Sequence, residues 1–472
     1  MKFLGKHRFF LLLAIALLLR LPLLSQSFWL DEAAQGLESI RSLSQQHNIA
    51  FDFQPPLFHY IVHFFTYVSS TEWWLRLPSL IAGIGSVAIL YMILEKKYGQ
   101  SSAFVGAVLL ATSPFHVFYS QELRPYSLAC FFALLSWWTL LSHDDKAEWK
   151  TSNKILFTVS TTLGLYTMYL YPFHVLSQLL FVFVQQKKRL RDFCVSLFIS
   201  ALFFLPWLPM FFSQLQVGTS LTSELPGWSQ AVGTPQLKGL LLIPAKLIVG
   251  QVPFRGDPVF LFLTICMLAG IAFVSVGTLT EKKHRVFWYW SVIPFVVAWV
   301  VSFVIPIIQP KRILFVLPGV YALLGSQLHK GKFVNVVLTL LILFQLLCLY
   351  RYYTEPKLQR ENWKEVIHII ESSCEVQECA TYSAFAQPFA PWQWYTSGKV
   401  AGESTGKQII YSVADVDGIA APTKSKLFVF EYLQDLTDPN RALLQWIESF
   451  GYSLTETIDG KNVGFVRVYT KQ

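Results

Sequence analysis

Charged residues are scarce in this sequence. They make up 14% of its 472 residues, whereas soluble domains carry about 25%. Hydrophobic residues account for 53% and aromatic residues for 16%, and the mean hydropathy is +0.44. This composition excludes a soluble globular enzyme, a disordered chain and a fibrous repeat. It predicts a membrane protein with many lipid-facing and interfacial aromatic side chains.

The sequence also lacks several functional signatures. We find no internal repeat, nucleophile elbow, phosphate-binding loop, zinc-finger spacing or aromatic-basic RNA motif. The net charge of +9 therefore predicts basic cytoplasmic loops rather than a nucleic-acid partner. Cysteines are few, six in all, and Cys374 and Cys379 stand five residues apart in a polar segment. The sequence leaves open whether these two form a disulfide.

Long apolar runs recur along the first 350 residues. Because a membrane-spanning helix needs about 20 predominantly apolar residues, the runs predict an α-helical polytopic membrane protein with about eleven spans. The first run follows a basic segment and has no signal-peptide cleavage site, so it is predicted to be an uncleaved helix. The predicted spans are 9–24, 77–94, 101–120, 126–142, 155–170, 173–185, 193–212, 258–280, 286–305, 313–328 and 333–350.

Lysine and arginine are distributed unevenly between alternate loops. With the N-terminus in the cytoplasm, the inside loops hold 17 of them in about 42 residues, and the outside loops hold eight in about 113. This bias predicts a multi-pass protein of the inner or plasma membrane. The predicted domains are a transmembrane module at 1–350, with outer loops 25–76 and 213–257, and a soluble extracytoplasmic domain at 351–472.

The predicted soluble domain has the patterns of a small α/β fold. Its apolar residues recur at helical spacing in some segments, and short apolar runs and turn signals mark others. The predicted elements are helices at Asn362–Ser372 and Ala442–Phe450, buried strands at Ile409–Val413 and Lys426–Phe430, and a hairpin around Asp459-Gly460.

Two adjacent carboxylates, Asp31 and Glu32, follow the first span on its predicted outer side. A carboxylate near a bilayer is costly unless it faces water, a partner or a metal. In a structural interpretation, Asp31 caps a helix and Glu32 in the first turn suits the helix dipole. In a catalytic interpretation they act on a substrate, and the two roles are compatible.

The same loop contains His59 and His63, four residues apart as on one helix face. Without an HExxH context they are a weak candidate for a metal pair. The surrounding apolar segment, Leu57–Val68, is too short to span a membrane and is predicted to lie in the interface.

Two further polar clusters lie at the outer ends of spans. A short turn contains Glu122 and Arg124, and a later segment contains Lys311 and Arg312. Guanidinium suits bidentate phosphate contacts, so Arg124 is a candidate for an anionic group, and Glu122 is one for a sugar hydroxyl or a metal. Lys311 and Arg312 lie where a lipid phosphate would bind. The structural alternatives are a local ion pair and cations that snorkel to the interface.

The order of these motifs resembles that of the multi-spanning GT-C glycosyltransferases. The most similar branch is the family 39-like group, related to the protein O-mannosyltransferases and the aminoarabinose transferase. The resemblance covers roughly residues 1–370, and it departs from the group at Ile313, where many members have Tyr after the Arg. The matching segments are Asp31-Glu32, Gln54–Leu57, Arg76–Ser79, Ser120–Leu128, Pro310–Pro318 and Glu361–Val366.

The resemblance implies transfer of a sugar, with inversion, from a polyprenyl-phosphate donor to an extracytoplasmic glycan, lipid or protein. It implies Asp31, with Glu32 second, as general base or metal-associated acid. A divalent metal ion fits this chemistry but is not required, because a lipid-linked donor leaves without a metal-bound nucleotide. The predicted ligands of the lipid phosphate are Arg124, Lys311 and Arg312, with Tyr126 as a hydrogen-bond donor.

Other classes of protein stay open. Transporters and lipid flippases usually show repeats and ionisable residues inside spans. Here Arg20 is the only Asp, Glu, Lys or Arg inside a predicted span. A non-catalytic assembly protein whose outer domain binds glycan would tolerate Asp31→Ala. A glycan ligase that uses lipid-pyrophosphate donors is an enzymatic alternative. The type of donor distinguishes this ligase from the glycosyltransferase that uses a polyprenyl-phosphate donor.

Overall fold

The computed structural model describes residues 2–142, 149–224, 237–253, 256–375, 378–416 and 419–471. The chain divides into two compact units. The first, which we call the membrane unit, comprises Met1–Leu24, Ser44–Val217 and Gln230–Leu358. The second, the C-terminal unit, comprises Ser25–Leu43, Gly218–Ser229 and Gln359–Gln472, so it is discontinuous in sequence.

Helices form almost all of the regular structure of the membrane unit, as its apolar runs predict. In chain order the described helices are α1 (Lys2–Leu18), α2 (Leu30–Ser39), α3 (Leu57–Thr66), α4 (Glu72–Leu75), α5 (Leu77–Thr112), α6 (Pro114–Ser120), α7 (Tyr126–Leu141), α8 (Thr151–Leu165), α9 (Tyr171–Gln185), α10 (Leu190–Phe204), α11 (Leu208–Glu224), α12 (Gly239–Val249), α13 (Pro258–Val276), α14 (Arg285–Val301), α15 (Leu317–Gly325), α16 (Lys332–Thr354), α17 (Trp363–Ser372), α18 (Ala390–Tyr395), α19 (Gln434–Thr437) and α20 (Ala442–Ser449). Helices α2 and α17 to α20 belong to the C-terminal unit.

Several helical segments are suited to a lipid bilayer. On α13, Phe262 and Phe273 are 64% and 66% exposed, as expected of side chains that face lipid. The prediction of an α-helical membrane protein is confirmed, whereas the number of about eleven spans stays a prediction. In the described residues, five segments are long and apolar enough to cross a membrane, namely Leu77–Thr112, Lys187–Ser220, Pro258–Val276, Lys282–Val301 and Lys332–Thr354.

Helix α5 is interrupted at Gly99, where φ is 81° and ψ is 172°. Glycine populates positive φ readily, whereas a residue with a side chain would be strained there. The interruption lies between the spans predicted at 77–94 and 101–120. The two apolar runs are therefore two helical segments that meet at a glycine.

Helix α5 contacts α1, α7 and α15. It approaches α15 closely because glycine faces glycine: a Cβ added at Gly325 would lie 2.7 Å from the Cα of Gly106. At the other end of α5, Ser79 is fully buried. This end of the helix supports the turn that carries Glu122 and Arg124.

A five-stranded sheet forms the centre of the C-terminal unit. Its strands are β1 (Cys379–Ser383), β2 (Ala401–Ser404), β3 (Lys426–Phe430), β4 (Tyr452–Gly460) and β5 (Gly464–Lys471). The strand order is β2-β1-β3-β5-β4, with β1 parallel to both β2 and β3 and β5 antiparallel to both β3 and β4. The predicted small α/β domain is therefore confirmed.

The individual elements predicted for this domain are confirmed with one exception. Helices α17 and α20 and strand β3 lie where the sequence places them. The β4–β5 hairpin is also present, but Asp459 and Gly460 are the paired end of β4, and the turn follows at residues 461–463. The strand predicted at Ile409–Val413 is wrong, because this segment pairs with no strand of the described sheet. Ile410 is fully buried, but its N–H donates to the carbonyl of Thr437 at 2.9 Å instead of to a neighbouring strand.

The two faces of the sheet bury different clusters. Trp363 of α17 packs in one cluster with Phe428, and Trp446 of α20 packs in the other with Leu427. Phe428 and Leu427 are neighbours on β3, so they point to opposite faces as strand geometry requires. Both faces are covered by helices, which explains why β3 is a continuous apolar run.

Cys374 and Cys379 are joined by a disulfide bond, with their Cα atoms 6.1 Å apart. The bond closes the short connection between α17 and β1. Disulfides persist in oxidising compartments. The bond therefore agrees with the extracytoplasmic position predicted for this domain, which stays a prediction.

Helix α2 belongs to the C-terminal unit although it lies near the start of the chain. It packs on α18, where a Cβ added at Gly36 would come within 2.8 Å of the indole of Trp394. The N–H of Phe28 donates to the hydroxyl of Tyr395 at 2.7 Å. The first predicted outer loop, 25–76, is thus divided between the two units, and the predicted boundary at residue 350 stays a prediction.

The second predicted outer loop, 213–257, lies partly outside the described residues, because 225–236, 254 and 255 are not described. Its remaining parts are largely helical and belong to the end of α11 and to α12.

Candidate functional site

A buried turn between α6 and α7 holds the predicted site residues Glu122 and Arg124. Hydrogen bonds in both directions join this turn to other segments of the unit. The hydroxyl of Ser79 donates to the carbonyl of Arg124 at 3.0 Å, and the amide of Gln121 donates to the carbonyl of Arg20 at 2.9 Å. Ser79 ends the Arg-Leu-Pro-Ser motif, so two of the motifs found in the sequence contact each other.

Arg124 forms a two-point ion pair with Asp52. Its Nη1 and Nη2 donate to Oδ2 and Oδ1 at 3.4 and 3.3 Å. Nε2 of His59 lies 3.0 Å from Oδ2 of the same carboxylate. The side chains of Arg124 and His59 are 8% and 0% exposed, so these groups are largely withdrawn from water.

Asp52 carries its negative charge at neutral pH. Burial alone would raise its pKa. The charge of Arg124 and the hydrogen bond with His59 outweigh burial and hold the pKa of this carboxyl well below its usual range. The carboxylate therefore balances the guanidinium charge and fixes the orientation of its plane.

The segment that carries Asp52 is tied to α11 through Gln214. The amide of Gln214 donates to the carbonyls of Ile49 at 2.7 Å and Gln54 at 3.1 Å, and also to that of Asp52. The hydroxyl of Tyr169 donates to the same Gln214 side chain. These contacts define where the Asp52 carboxylate lies relative to Arg124.

Lys311 brings the second predicted cluster to the same turn. Its ammonium nitrogen lies 5.5 Å from the centre of the Tyr126 ring, within the range of a cation–π contact. Tyr126 packs edge-on against Tyr119, with ring centres 5.3 Å apart. The charges of Glu122 and Lys311 both act on Tyr119. Two segments that are far apart in sequence therefore meet around one pair of tyrosines.

Arg312 interacts with its own segment, since its Nη1 donates to the carbonyl of Ile307 at 3.2 Å. In the contacts described for this unit, Lys311 is the member of the pair that reaches Tyr126. The structure thus brings Glu122, Arg124, Tyr126 and Lys311 together.

Asp31 and Glu32 lie in the first turn of α2, in the C-terminal unit. Glu32 is fully buried, and its Oε2 lies 3.7 Å from Nε of Arg360. Asp31 is partly exposed. The first-turn position predicted for Glu32 is confirmed, and the catalytic roles of both carboxylates stay proposals.

The structural interpretation of Asp31 as the cap of this helix is wrong. Helix α2 begins at Leu30, and Trp29 occupies the N-cap position without a side-chain cap bond. The N–H of Leu30 donates instead to the carboxylate of Glu361. The acceptor that the start of the helix needs is therefore supplied by a distant segment of the same unit.

His59 and His63 lie on α3 but bind different partners. The ring nitrogens of His63 lie 3.4 Å from Gln46 Nε2 and 2.9 Å from the Tyr67 hydroxyl, whereas His59 binds Asp52. Carboxylate and imidazole are ligands that divalent transition metals accept. Arg124 already donates to both oxygens of this carboxylate, so a cation would share the carboxylate with it. A metal ion at this position stays a hypothesis.

Sequence reasoning missed Asp52. A single carboxylate in a polar loop has no pattern of its own. The sequence feature that could have pointed to Asp52 is its position two residues before Gln54, where the Gln-Pro-Pro-Leu motif begins. Glu361 was noted only as part of a motif, and its contact with α2 was not predicted.

The fold and part of the sequence identify the class of protein. Residues 53–211 match the family described as dolichyl-phosphate-mannose-protein mannosyltransferase. The crystal structure of the oligosaccharyltransferase of Archaeoglobus fulgidus is similar to this chain with a TM-score of 0.56 and 13% identity, over 94% of this chain and 71% of that one. The resemblance to GT-C glycosyltransferases of the family 39-like group is therefore confirmed, in fold over most of the chain and in sequence over residues 53–211.

Two proteins of Bacillus subtilis (strain 168), each named as a mannosyltransferase, are similar to this chain. YkcB is 28% identical over 131 residues, which are 28% of this chain and 18% of YkcB. YycA is 26% identical over 217 residues, which are 42% of this chain and 32% of YycA. The chain thus covers less than a third of the length of either relative.

Proposed function

We propose that the chain is a membrane glycosyltransferase that moves a sugar from a polyprenyl-phosphate donor to a hydroxyl group of an acceptor. The observation that carries the proposal is the contact of Lys311 with Tyr126, the residue that begins α7 directly after the Arg124 turn. A guanidinium group and an ammonium group near one tyrosine can stabilise a phosphate as it leaves. The oligosaccharyltransferase of Archaeoglobus fulgidus, which shares the fold, has been solved in complex with a dolichol phosphate.

In the proposed reaction Asp31 accepts the proton of the acceptor hydroxyl. The acceptor oxygen bonds to the anomeric carbon, and the bond from that carbon to the phosphate oxygen breaks. The electron pair stays on the phosphate, whose charge is stabilised by Arg124 and Lys311. Attack from the side opposite the phosphate inverts the anomeric carbon. Tyr126 donates a hydrogen bond to the phosphate, and Glu122 accepts one from a sugar hydroxyl.

Asp52 would then be the residue that orients Arg124. A guanidinium group offers five N–H donors in a rigid plane. Two hydrogen bonds to one carboxylate fix that plane before the donor binds, so less ordering is needed when the phosphate arrives.

The proposed position of the reaction is the outer face of the membrane. The excess of Lys and Arg in alternate loops supports a cytoplasmic N-terminus. The disulfide between Cys374 and Cys379 supports an oxidising environment for the C-terminal unit.

The test is a turnover assay. Purified protein in lipid is incubated with a panel of radiolabelled polyprenyl-phosphate sugars and membrane extract as acceptor, and the released polyprenyl phosphate is measured. Asp31→Asn is compared with Asp435→Asn, which changes an exposed carboxylate in the same unit. Each reaction is run with and without EDTA, because a solved form of the archaeal oligosaccharyltransferase contains zinc.

We expect turnover by the wild type and by Asp435→Asn, and a loss of several orders of magnitude in Asp31→Asn. If Asp31→Asn kept full activity, the choice of base would be wrong. If no donor turned over in either condition, the flippase and assembly-protein alternatives would replace the transferase.

A further inference from the structure

The carboxylate of Glu361 joins three segments of the C-terminal unit. Its Oε2 accepts a hydrogen bond from Nε1 of Trp363 at 2.7 Å, and its Oε1 accepts one from the hydroxyl of Tyr432 at 2.9 Å. It also accepts the N–H of Leu30. Leu30 is the first residue of α2, where backbone N–H groups have no partner inside the helix. Glu361 therefore caps the helix whose second residue is Asp31.

Asp31 and Glu361 also interact electrostatically. Burial raises the pKa of the Glu361 carboxyl to about 7, the charge of Asp31 adds to this rise, and the hydrogen bonds from Trp363 and Tyr432 oppose it. The interaction between two charges is mutual. The two carboxylates therefore lie close enough for the charge of one to act on the other.

Neighbouring contacts hold the same two segments together. Arg360 lies 3.7 Å from the buried carboxylate of Glu32, and the N–H of Lys364 donates to the hydroxyl of Ser27 at 3.1 Å. Residues 360–364 thus bind residues 27–32 through both backbone and side chains. These residues overlap Glu361–Val366, one of the segments that carry the resemblance to the glycosyltransferase family.

We propose that Glu361 is a positioning residue for Asp31. Its carboxylate, in the segment 360–364, fixes the first turn of α2, which carries Asp31. The inference rests on the proposed function only in assigning Asp31 as the base. The cap itself is a property of the C-terminal unit and can be tested without a substrate.

The variant Glu361→Gln tests this role with little change of shape. An amide keeps one acceptor oxygen, but its NH₂ group faces N–H donors where the carboxylate had a second acceptor. A matched control is Glu371→Gln, on helix α17, which begins two residues after Glu361. The Glu371 carboxylate also accepts three hydrogen bonds, from the Thr396 hydroxyl at 2.9 Å and from the N–H and hydroxyl of Ser397 at 2.8 and 2.9 Å.

Two readouts are measured on the full-length protein in lipid. In the turnover assay we expect Glu361→Gln to lower kcat by about 10- to 100-fold, since a misplaced reacting group can cost about 10²-fold, and to change the donor KM by less than about threefold. Glu361→Asp, which keeps the charge, should recover part of kcat. In amide hydrogen exchange, the first turn of α2 should exchange faster in Glu361→Gln, whereas Glu371→Gln should match the wild type in both readouts.

The outcomes separate this inference from the proposed function. An unchanged kcat in Glu361→Gln, or an equal loss in Glu371→Gln, would overturn the positioning role. If the wild type itself turned over no donor, the proposed function would fail, and hydrogen exchange alone would decide whether Glu361 caps α2. Unchanged exchange of α2 would then overturn the cap. If Glu361→Gln did not fold, Glu361→Asp would provide the comparison in both assays.

Discussion

Arg124 and Asp52 face each other in the membrane unit through two hydrogen bonds, at 3.3 and 3.4 Å. The pair joins the loop before α3 to the turn between α6 and α7. Lysine could supply the same charge but only a single flexible donor group, so the two-point geometry is specific to arginine. This pair organises the part of the proposed site that binds phosphate.

The first prediction concerns Arg124. We expect Arg124→Ala to lower kcat/KM for the donor by about 10²- to 10³-fold, because loss of one donor to a developing charge costs about 2.7–4 kcal/mol. Arg124→Lys keeps the charge and should lose about tenfold. Initial rates over a range of donor concentrations measure both. Arg467→Lys, which changes an arginine paired with Glu431 in the C-terminal unit, is the control. Full activity of Arg124→Lys would refute the two-point role.

The second prediction concerns Lys311. Lys311→Met removes the ammonium group and keeps most of the side-chain length, so it should raise the donor KM by about tenfold, which corresponds to about 1.4 kcal/mol. Lys311→Arg should retain most of the affinity. Donor saturation curves measure the effect, with Lys407→Met, at an exposed ion pair with Asp415, as control. A KM equal to that of the wild type would show that Lys311 does not bind the donor.

The third prediction concerns the stability that Asp52 provides. Asp52→Asn leaves Arg124 without its carboxylate, and breaking a buried pair costs about 3–5 kcal/mol. Because the pKa of Asp52 is lowered in the folded protein, this contribution is complete above about pH 4, its range in an unfolded chain, and declines as the pH falls further. In detergent at pH 7, Asp52→Asn should unfold at a lower temperature than the wild type, and this difference should narrow below about pH 4. A difference that stayed constant with pH would contradict the ion pair.

The fourth prediction concerns the disulfide. Denatured but unreduced protein should react with a maleimide reagent at four thiols, since Cys130, Cys194, Cys266 and Cys348 are free, and at six after reduction. Replacing both Cys374 and Cys379 with serine should destabilise the C-terminal unit by about 2 kcal/mol, the chain-entropy effect of so short a loop. Six reactive thiols before reduction would mean that the bond does not form.

The membrane helices were the easiest part of the fold to predict. A lipid-facing or buried helix needs an apolar run, and such a run is visible in the sequence without knowledge of its neighbours. Gly99 illustrates the limit, because two predicted spans meet there in one interrupted helix. The number of spans depends on where the bilayer lies, and helix length alone does not define that position.

The sheet domain shows a different limit. Ile410 has the apolar pattern of a strand residue and is buried, yet its N–H binds Thr437 outside the sheet. A buried segment and a paired strand show the same apolar pattern in the sequence, and tertiary contacts decide which of the two forms. For this reason Lys426–Phe430 was predicted correctly and Ile409–Val413 was not.

Several residues of the candidate site could be predicted one by one, but the pairs that they form could not. Motifs pointed to Arg124 and Lys311, because guanidinium and ammonium groups at a membrane face suggest phosphate. The partners that position them, Asp52 and Tyr126, come from other segments. No local spacing encodes such long-range contacts.

The discontinuous C-terminal unit has a consequence for biosynthesis. Residues 25–43 leave the ribosome early, whereas Glu361, Trp394 and Tyr395, which hold them, are made near the end of translation. Contacts so distant in sequence form late in folding. A nascent chain that stops before residue 359 would contain Asp31 and the residues around Arg124, but the helix that carries Asp31 would have no partner to complete its first turn.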